Sequence, residues 1–223
     1  MEWTEDGWFR PLGGDLSKPI TKPVDLGPQP HGIALSDDFS TDKFGIQWGF
    51  YDPGSNEMAR VRRADGKLIV KGKGSSPTDC SPLTFICGDQ RYEVEADVEI
   101  GDGAEAGLLL FYNRRLYAGL GLGPKGLVMH RYGLQRLRGT PPGQRDAEGG
   151  AVRKLRIRLT NDRNILTIHT SADGGVKWQK FDVQMEVSGY HHNVAYDFLS
   201  LRPALYSAGS GEARFSDFTY RAL

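Results

Sequence analysis

Four acidic side chains alternate with apolar ones in the segment EVEADVEI, residues 93–100. A period of two is typical of a β-strand that has one buried face and one exposed face. Two carboxylates on a sugar-binding face, here Glu95 and Glu99, could serve as nucleophile and general acid of a retaining glycosidase. The favoured interpretation is a solvated strand face, on which Arg156, Arg158 and similar residues of neighbouring strands neutralise the acids.

A second group of residues with chemical potential lies in the segment YHHNVAYDF, residues 190–198. Flat aromatic faces pack against the C–H side of a sugar ring, and nearby polar groups bond its hydroxyls. His191, His192, Tyr196 and Phe198 are therefore the candidate carbohydrate-binding residues. The alternative is a loop whose aromatic side chains pack on their own domain.

Acidic residues also stand near both ends of the globular part, as Asp37-Asp38 and Ser216-Asp217. The first and last strands of a jelly roll are often neighbours, so these residues could meet. Carboxylate and carbonyl oxygens are the ligands that Ca²⁺ prefers. The sequence thus predicts a structural calcium ion held by Asp38 and Asp217, the only cofactor expected. Turn caps without a metal are the alternative.

The elements that must position these residues are short strands. The chain has 29 Gly and 12 Pro, and long helical patterns are absent. Period-two segments recur between turn signals such as Asp65-Gly66, which predicts a hairpin. We expect an all-β, two-sheet antiparallel jelly-roll sandwich with ten to twelve strands and one core that includes Trp48.

Residues 1–32 differ from the rest. Trp3 and Trp8 flank a turn signal, and a proline-rich stretch typical of an extended linker follows. The predicted organisation is the tail of a preceding domain plus linker in residues 1–32, and a globular domain in residues 33–223. A packed N-terminal arm is the alternative.

Composition excludes several function classes. Lys plus Arg and Asp plus Glu both number 28, so there is no basic surplus for binding nucleic acid. No apolar run is long enough to span a membrane, and no signal peptide, HExxH, CxxC or Ser-His-Asp order occurs. A cytoplasmic location is favoured, with secretion left open should the N-terminus be truncated. Cys80 and Cys87 are predicted to be free thiols.

Four segments resemble the C-terminal domain of glycoside hydrolase family 43 β-xylosidases and arabinofuranosidases. They read DDFSTDKFGIQW, DCSPLTFICGDQRYEVEADVEI, AGLLLFYNRRLYAGLGL and YHHNVAYDFLSLRPALYSAGSGEARFSDFTYRAL. This domain is a concanavalin A-like β-sandwich, also classed as carbohydrate-binding module family 91. The resemblance covers about residues 33–223, and residues 1–10 look like the end of the five-bladed β-propeller that precedes it in the family.

The resemblance implies that the catalytic acids belong to the propeller, so no catalytic residue is expected here. It also implies that the sandwich caps the propeller and that the loop 190–198 reaches its sugar pocket. The expected function is an ancillary, non-catalytic domain of a xylan-degrading hydrolase. It would bind xylo-oligosaccharide or arabinoxylan, or complete the active site of a propeller partner in cis or in trans. The alternatives are a self-sufficient glycosidase using Glu95 and Glu99, and a lectin-like or structural domain with an aromatic protein interface.

Overall fold

The computed structural model describes residues 2–10, 17, 34–54, 56–139 and 152–223, and it divides the chain into two compact units, Met1–Gly32 and Ile33–Leu223. In the first unit, β1 (Glu2–Trp3) pairs antiparallel with β2 (Phe9–Arg10). The interpretation of this unit as the end of a preceding domain stays a prediction. Most of the predicted linker lies outside the described residues.

The described part of the second unit is almost entirely β-structure, with a 3₁₀ turn (Glu57–Arg60) and one short helix, α1 (His192–Ala195). Its strands are β3 (Trp48–Phe50), β4 (Val61–Ala64), β5 (Lys67–Lys71), β6 (Leu83–Phe85), β7 (Arg91–Ile100), β8 (Ala104–Phe111), β9 (Tyr117–Gly123), β10 (Gly126–Arg131), β11 (Leu134–Gly139), β12 (Lys154–Asp162), β13 (Ile165–Ser171), β14 (Gln179–Lys180), β15 (Met185–Glu186), β16 (Arg202–Gly209) and β17 (Glu212–Ala222).

Two antiparallel sheets contain these strands. The seven-stranded sheet has the order β11-β10-β9-β8-β16-β6-β3. The eight-stranded sheet has the order β14-β13-β12-β7-β17-β5-β4, with β15 also paired to β13. The predicted two-sheet sandwich is therefore confirmed. The described strands outnumber the ten to twelve predicted, because several are only two or three residues long.

The core is organised by β7 and β8, which a turn at residues 101–103 connects from one sheet to the other. β7 lies between β12 and β17, and β8 lies between β9 and β16. Burial of each large apolar side chain contributes about 1.5–3 kcal/mol, so these two strands fix how the sheets pack. The buried residues that these two strands contribute to the central cluster are Tyr92, Val94, Ala96, Val98, Ile100, Ala104, Ala106, Leu108 and Leu110.

The predicted hairpin and the predicted core tryptophan are both confirmed. Asp65 and Gly66 connect β4 to β5 with positive φ angles of 53° and 67°, as a two-residue hairpin turn requires. Trp48 is buried against the rings of Phe85 and Phe218, and its indole N–H donates to Asp37 Oδ2 over 2.9 Å.

Several short elements, among them β11 and α1, were not predicted from the sequence. The strand β11 was missed, because its segment LQRLRG shows no clear alternation and follows a turn at Tyr132-Gly133. The helix α1 was missed because four residues are too few to show a helical period.

Part of the outward face of the seven-stranded sheet is covered by the segment that contains Thr78 and Cys80. Thr78 Oγ1 lies 2.9 Å from Tyr117 Oη, and Arg60 donates to the backbone oxygens of Cys80 and Ser81. These bonds hold the segment 74–81 over a second apolar cluster. That cluster consists of Cys80, Leu109, Phe111, Tyr117, Ala204, Tyr206 and Ala208, with Tyr51 packed against it.

Tyr206 provides a buried polar group on this face. Its hydroxyl lies 3.0 Å from Glu105 Oε1 and 2.9 Å from His130 Nε2. Burial raises the pKa of Tyr206, so the phenol keeps its proton and can donate to the carboxylate. Gly121 leaves room for it, since a Cβ there would stand 2.0 Å from the Tyr206 hydroxyl.

Cys80 and Cys87 are free thiols, as predicted, and burial raises the pKa of Cys87 to about 11. In the described part of the chain, no helix is long and apolar enough to cross a membrane.

Candidate functional site

The loop 190–198 stands on a buried base. Tyr190 is buried, and its hydroxyl accepts a hydrogen bond from the Tyr132 amide over 2.9 Å and donates to the Tyr117 carbonyl over 3.4 Å. Burial raises the pKa of Tyr190 to about 12, so the hydroxyl remains a donor at neutral pH. At the other side of the loop, Arg115 Nη2 donates to the Ala195 carbonyl over 3.1 Å.

The helix α1 forms one turn between these two points. His191 caps its beginning, since His191 Nδ1 accepts from the Asn193 amide over 3.2 Å. Tyr196 ends it in the left-handed conformation, with φ of 61°. This sharp reversal leaves the Tyr196 side chain outside the helix, where it is 80% exposed.

Two of the four predicted binding residues come together, and two do not join them. The rings of His192 and Phe198 stack with centroids 4.0 Å apart and planes inclined by 21°. Phe198 is nevertheless 90% exposed, so this stack offers a flat aromatic surface to a ligand. His191 instead caps the helix, and Tyr196 has no ring contact among the described residues.

Exposed apolar side chains concentrate at the end of the sandwich where β7 begins and β8 ends, here called the loop end. The strand registers bring the beginnings of β3, β13 and β16 and the ends of β6 and β10 to the same place. Among the large exposed apolar side chains described in residues 34–223, only Met58 and Val176 lie elsewhere. Those at the loop end are Ile46, Ile86, Tyr132, Leu134, Ile165, Val194, Tyr196, Phe198, Leu199 and Leu223.

The acidic face of β7 has a different character. Glu95 pairs with Arg156 at 2.9 Å and with Arg158 at 2.6 Å. Arginine or lysine side chains also pair with the other three acids of the strand, Glu93, Asp97 and Glu99. Glu95 and Glu99 are about 13 Å apart along the strand, because each residue rises about 3.3 Å. Glycosidase carboxylate pairs are separated by roughly 5–9.5 Å. The expected pairing of the acids with Arg156 and Arg158 is observed, but the side chains of Glu95 and Asp97 are only 13% exposed, so the face is not solvated as expected. The spacing of Glu95 and Glu99 does not favour catalysis by the pair.

Comparison with known proteins assigns this sandwich to a family. The family model described as the β-xylosidase C-terminal concanavalin A-like domain matches residues 36–221. The chain belongs to this family. The resemblance drawn from the sequence is therefore confirmed, and this GH43 C-terminal domain has no match among curated proteins.

Solved structures of GH43 proteins share the fold. The GH43 BlXynB protein of Bacillus licheniformis is 19% identical, with a TM-score of 0.73, and the match covers 100% of this chain and 46% of that chain. The xylan β-1,4-xylosidase of Bacillus halodurans C-125 is also 19% identical, with a TM-score of 0.73, over 99% of this chain and 45% of that chain. A Bacteroides ovatus xyloglucan PUL GH43B protein gives 17% identity and a TM-score of 0.65 over 100% and 46% of the two chains. The chain spans slightly less than half the length of these proteins.

Sequence reasoning missed the residues that hold the loop of this GH43 C-terminal domain. Tyr112 and Asn113, at the end of β8, both donate hydrogen bonds to Asp197. The bonded residues lie about 85 positions apart in sequence. The only local signal was a polar Asn directly after a buried strand, which reads equally well as an ordinary turn.

Asp38 and Asp217, the predicted calcium ligands, line one depression of about 660 Å³. Both residues line this depression because the backbone of Asp37 forms a bridge with that of Phe218. This agrees with the expectation that the first and last strands are neighbours. Among the described residues, no three His, Cys, Asp or Glu side chains are grouped to hold a metal. Calcium would therefore need backbone carbonyls and water for most of its roughly six to eight oxygen ligands, and the site stays a prediction.

Adding Ca²⁺ tests this prediction. With calcium at about 100 times its dissociation constant, we expect the melting temperature of the chelator-treated protein to rise by roughly 5–10 °C. The variants Asp38→Asn and Asp217→Asn should lose the rise, while Asp102→Asn, at the opposite end of the sandwich, should keep it. A melting temperature that does not respond to Ca²⁺ would contradict the predicted site.

The acidic face makes a separate prediction about pH. Burial by itself raises the pKa of Glu99, but the hydrogen bond and charge of Lys67 and the charges of Arg214 and Lys154 lower it overall below the ordinary 4.5. Because the pKa of Glu99 is lower in the folded than in the unfolded protein, its ionised form stabilises the fold at pH values above the unfolded-state pKa. This contribution is lost as the pH falls through the folded-state pKa. The wild type should therefore be more stable than Glu99→Gln above about pH 5, and the difference should vanish on further acidification.

Urea unfolding of both proteins between pH 3 and pH 7 measures this difference. A stability difference that is the same at both ends of the range, or that grows towards pH 3, would contradict the prediction.

Proposed function

We propose that this domain is an ancillary, non-catalytic part of a xylan-degrading glycoside hydrolase of the β-xylosidase or α-arabinofuranosidase type. In this proposal, the loop 190–198 contacts a xylo-oligosaccharide or arabinoxylan chain while a catalytic partner domain binds the same sugar. The contact residues are His192, Tyr196 and Phe198, and His191 shapes the loop.

The observation that carries the proposal is the exposed stack of His192 and Phe198 on an anchored loop. An exposed aromatic ring costs free energy in water, and a protein recovers that cost when the ring packs on a ligand. A pyranose has an apolar C–H face of suitable size, and the imidazole beside it can bond a hydroxyl. The xylosidase names of the matching family model and of one similar structure support xylan as the substrate class.

The proposed partner is a five-bladed propeller catalytic domain, in cis or in trans. The apolar side chains of the loop end supply a surface for such a partner, since contiguous exposed apolar patches mark interaction sites. Residues 1–32 are proposed to be the end of that propeller and the linker that follows it.

A second candidate function is a lectin-like or structural domain. The same exposed residues, including Ile46 and Ile86, favour it, because they would suit a protein interface without any sugar. The two candidates differ in whether a xylo-oligosaccharide binds at the loop.

Phe198→Ala is the variant that tests the proposed function. Isothermal titration with xylohexaose should give measurable binding for the wild type and about tenfold weaker binding for Phe198→Ala, because removal of a central aromatic contact costs on the order of 1.4 kcal/mol or more. Val176→Ala, an exposed apolar truncation at the opposite end of the sandwich, is the control and should bind like the wild type.

The partner arm uses the propeller domain of a GH43 β-xylosidase prepared without its own sandwich. Addition of the wild-type chain should increase its activity on xylobiose, and Phe198→Ala should increase it less. Absence of xylohexaose binding together with unchanged activity would contradict the proposal. Light scattering that shows a protein complex without sugar binding would favour the second candidate.

A further inference from the structure

Two fully buried side chains at the end of β8 direct their donors at a single loop residue. Tyr112 is 1% exposed and its hydroxyl donates to the Asp197 carbonyl. Asn113 is 2% exposed and its Nδ2 donates to the Asp197 carboxylate. Asp197 itself stands between Tyr196 and Phe198, the two most exposed aromatic residues described in the sandwich.

The Asn113 amide connects two loops. Its Oδ1 accepts hydrogen bonds from the amides of Arg115 and Leu116, both over 2.9 Å, and so fixes the turn between β8 and β9. Its Nδ2 reaches in the other direction to Asp197. A hydrogen bond to a charged carboxylate is stronger than one between neutral groups, and burial of the donor strengthens it further. The loop is therefore tied to the rigid end of a central strand.

We propose that Asn113, assisted by Tyr112, is the positioning residue of the carbohydrate-binding loop. It holds Asp197 so that the side chains on either side of it project from the domain in a form ready for a sugar. Without this bond the exposed aromatics would gain by folding onto the apolar surface of their own domain. The inference rests on the proposed function of the loop. It assigns the support of Asp197 to two residues that lie outside the loop.

Preorganisation is the expected benefit. A loop that must be ordered on binding loses affinity through the entropy of ordering, and a loop already held in place does not. The bond to Asp197 thus acts on binding through another group, since neither Asn113 nor Tyr112 is exposed to a ligand.

Asn113→Asp separates the two roles of the amide. The new carboxylate keeps the oxygen that accepts from Arg115 and Leu116, but it presents a second oxygen to Asp197 in place of the donor. We expect about tenfold weaker binding of xylohexaose and about tenfold faster hydrogen exchange at the amides of Val194, Ala195 and Tyr196. The double variant Asn113→Asp with Asp197→Asn restores an amide–carboxylate pair in reverse, and both values should return to within about twofold of wild type.

Asp102→Asn is the matched control for the Asp197→Asn half of the double variant, because it makes the same carboxylate-to-amide change at the exposed turn of the opposite end. It should leave both readouts unchanged. Tyr112→Phe removes only the hydroxyl and should produce a change in the same direction, smaller than that of Asn113→Asp. If Asn113→Asp does not fold, Tyr112→Phe tests the inference by the same two measurements.

Wild-type binding and exchange in Asn113→Asp would overturn the inference, and so would a double variant that recovers neither. If the wild type itself binds no xylohexaose, the proposed sugar contact fails, and the exchange rates then decide the positioning role alone. Fast exchange in Asn113→Asp with recovery in the double variant would still support it.

Discussion

The constraint on which the rest of this structure depends is that β7 and β8 are joined by a tight turn yet belong to different sheets. Each strand is central in its own sheet, so the apolar side chains that they bury against each other bring both sheets together. The ends of the two strands opposite the turn are fixed by the same packing. That end of the sandwich carries Asn113 and, through it, the loop that we propose to be functional.

The two outward faces of the sandwich carry different side chains. On the eight-stranded sheet, arginines and lysines neutralise the acids of β7 at distances of 2.6–3.5 Å for the closest pair of each acid. On the seven-stranded sheet, the segment 74–81 lies over an apolar cluster that includes Tyr117 and Tyr206. Within residues 34–223, the loop end is where the exposed rings of Tyr196 and Phe198 stand on an anchored support. Burial of these rings against a sugar or a partner domain would lower the free energy of the complex.

Much of this architecture follows from the sequence, because alternation along a strand is a local property. The period of two in residues 93–100, the turn at Asp65-Gly66 and the burial of Trp48 were all predictable from neighbouring residues. The loop 190–198 could be recognised from the aromatic and histidine residues in its sequence. The helix α1 and the strand β11 were not, because one turn of helix and a polar edge strand leave too weak a pattern.

The support of the loop was beyond sequence reasoning for a different reason. The hydrogen bonds from Tyr112 and Asn113 to Asp197 join segments that only the packing of β8 beside β16 brings together. Similarly, Asp38 and Asp217 were expected to be neighbours from the general plan of the fold, but a calcium ion between them remains a prediction. Long-range pairs of this kind require the register of the sheets.

The most direct test of the central claim is a nuclear magnetic resonance titration of the ¹⁵N-labelled chain with xylohexaose. The account predicts that the amide shifts that change are those of residues 190–199, with smaller changes in residues 112–116 behind them. Changes centred on β7 and β12, or no changes at saturating sugar, would contradict the claim that the loop is the carbohydrate-binding surface.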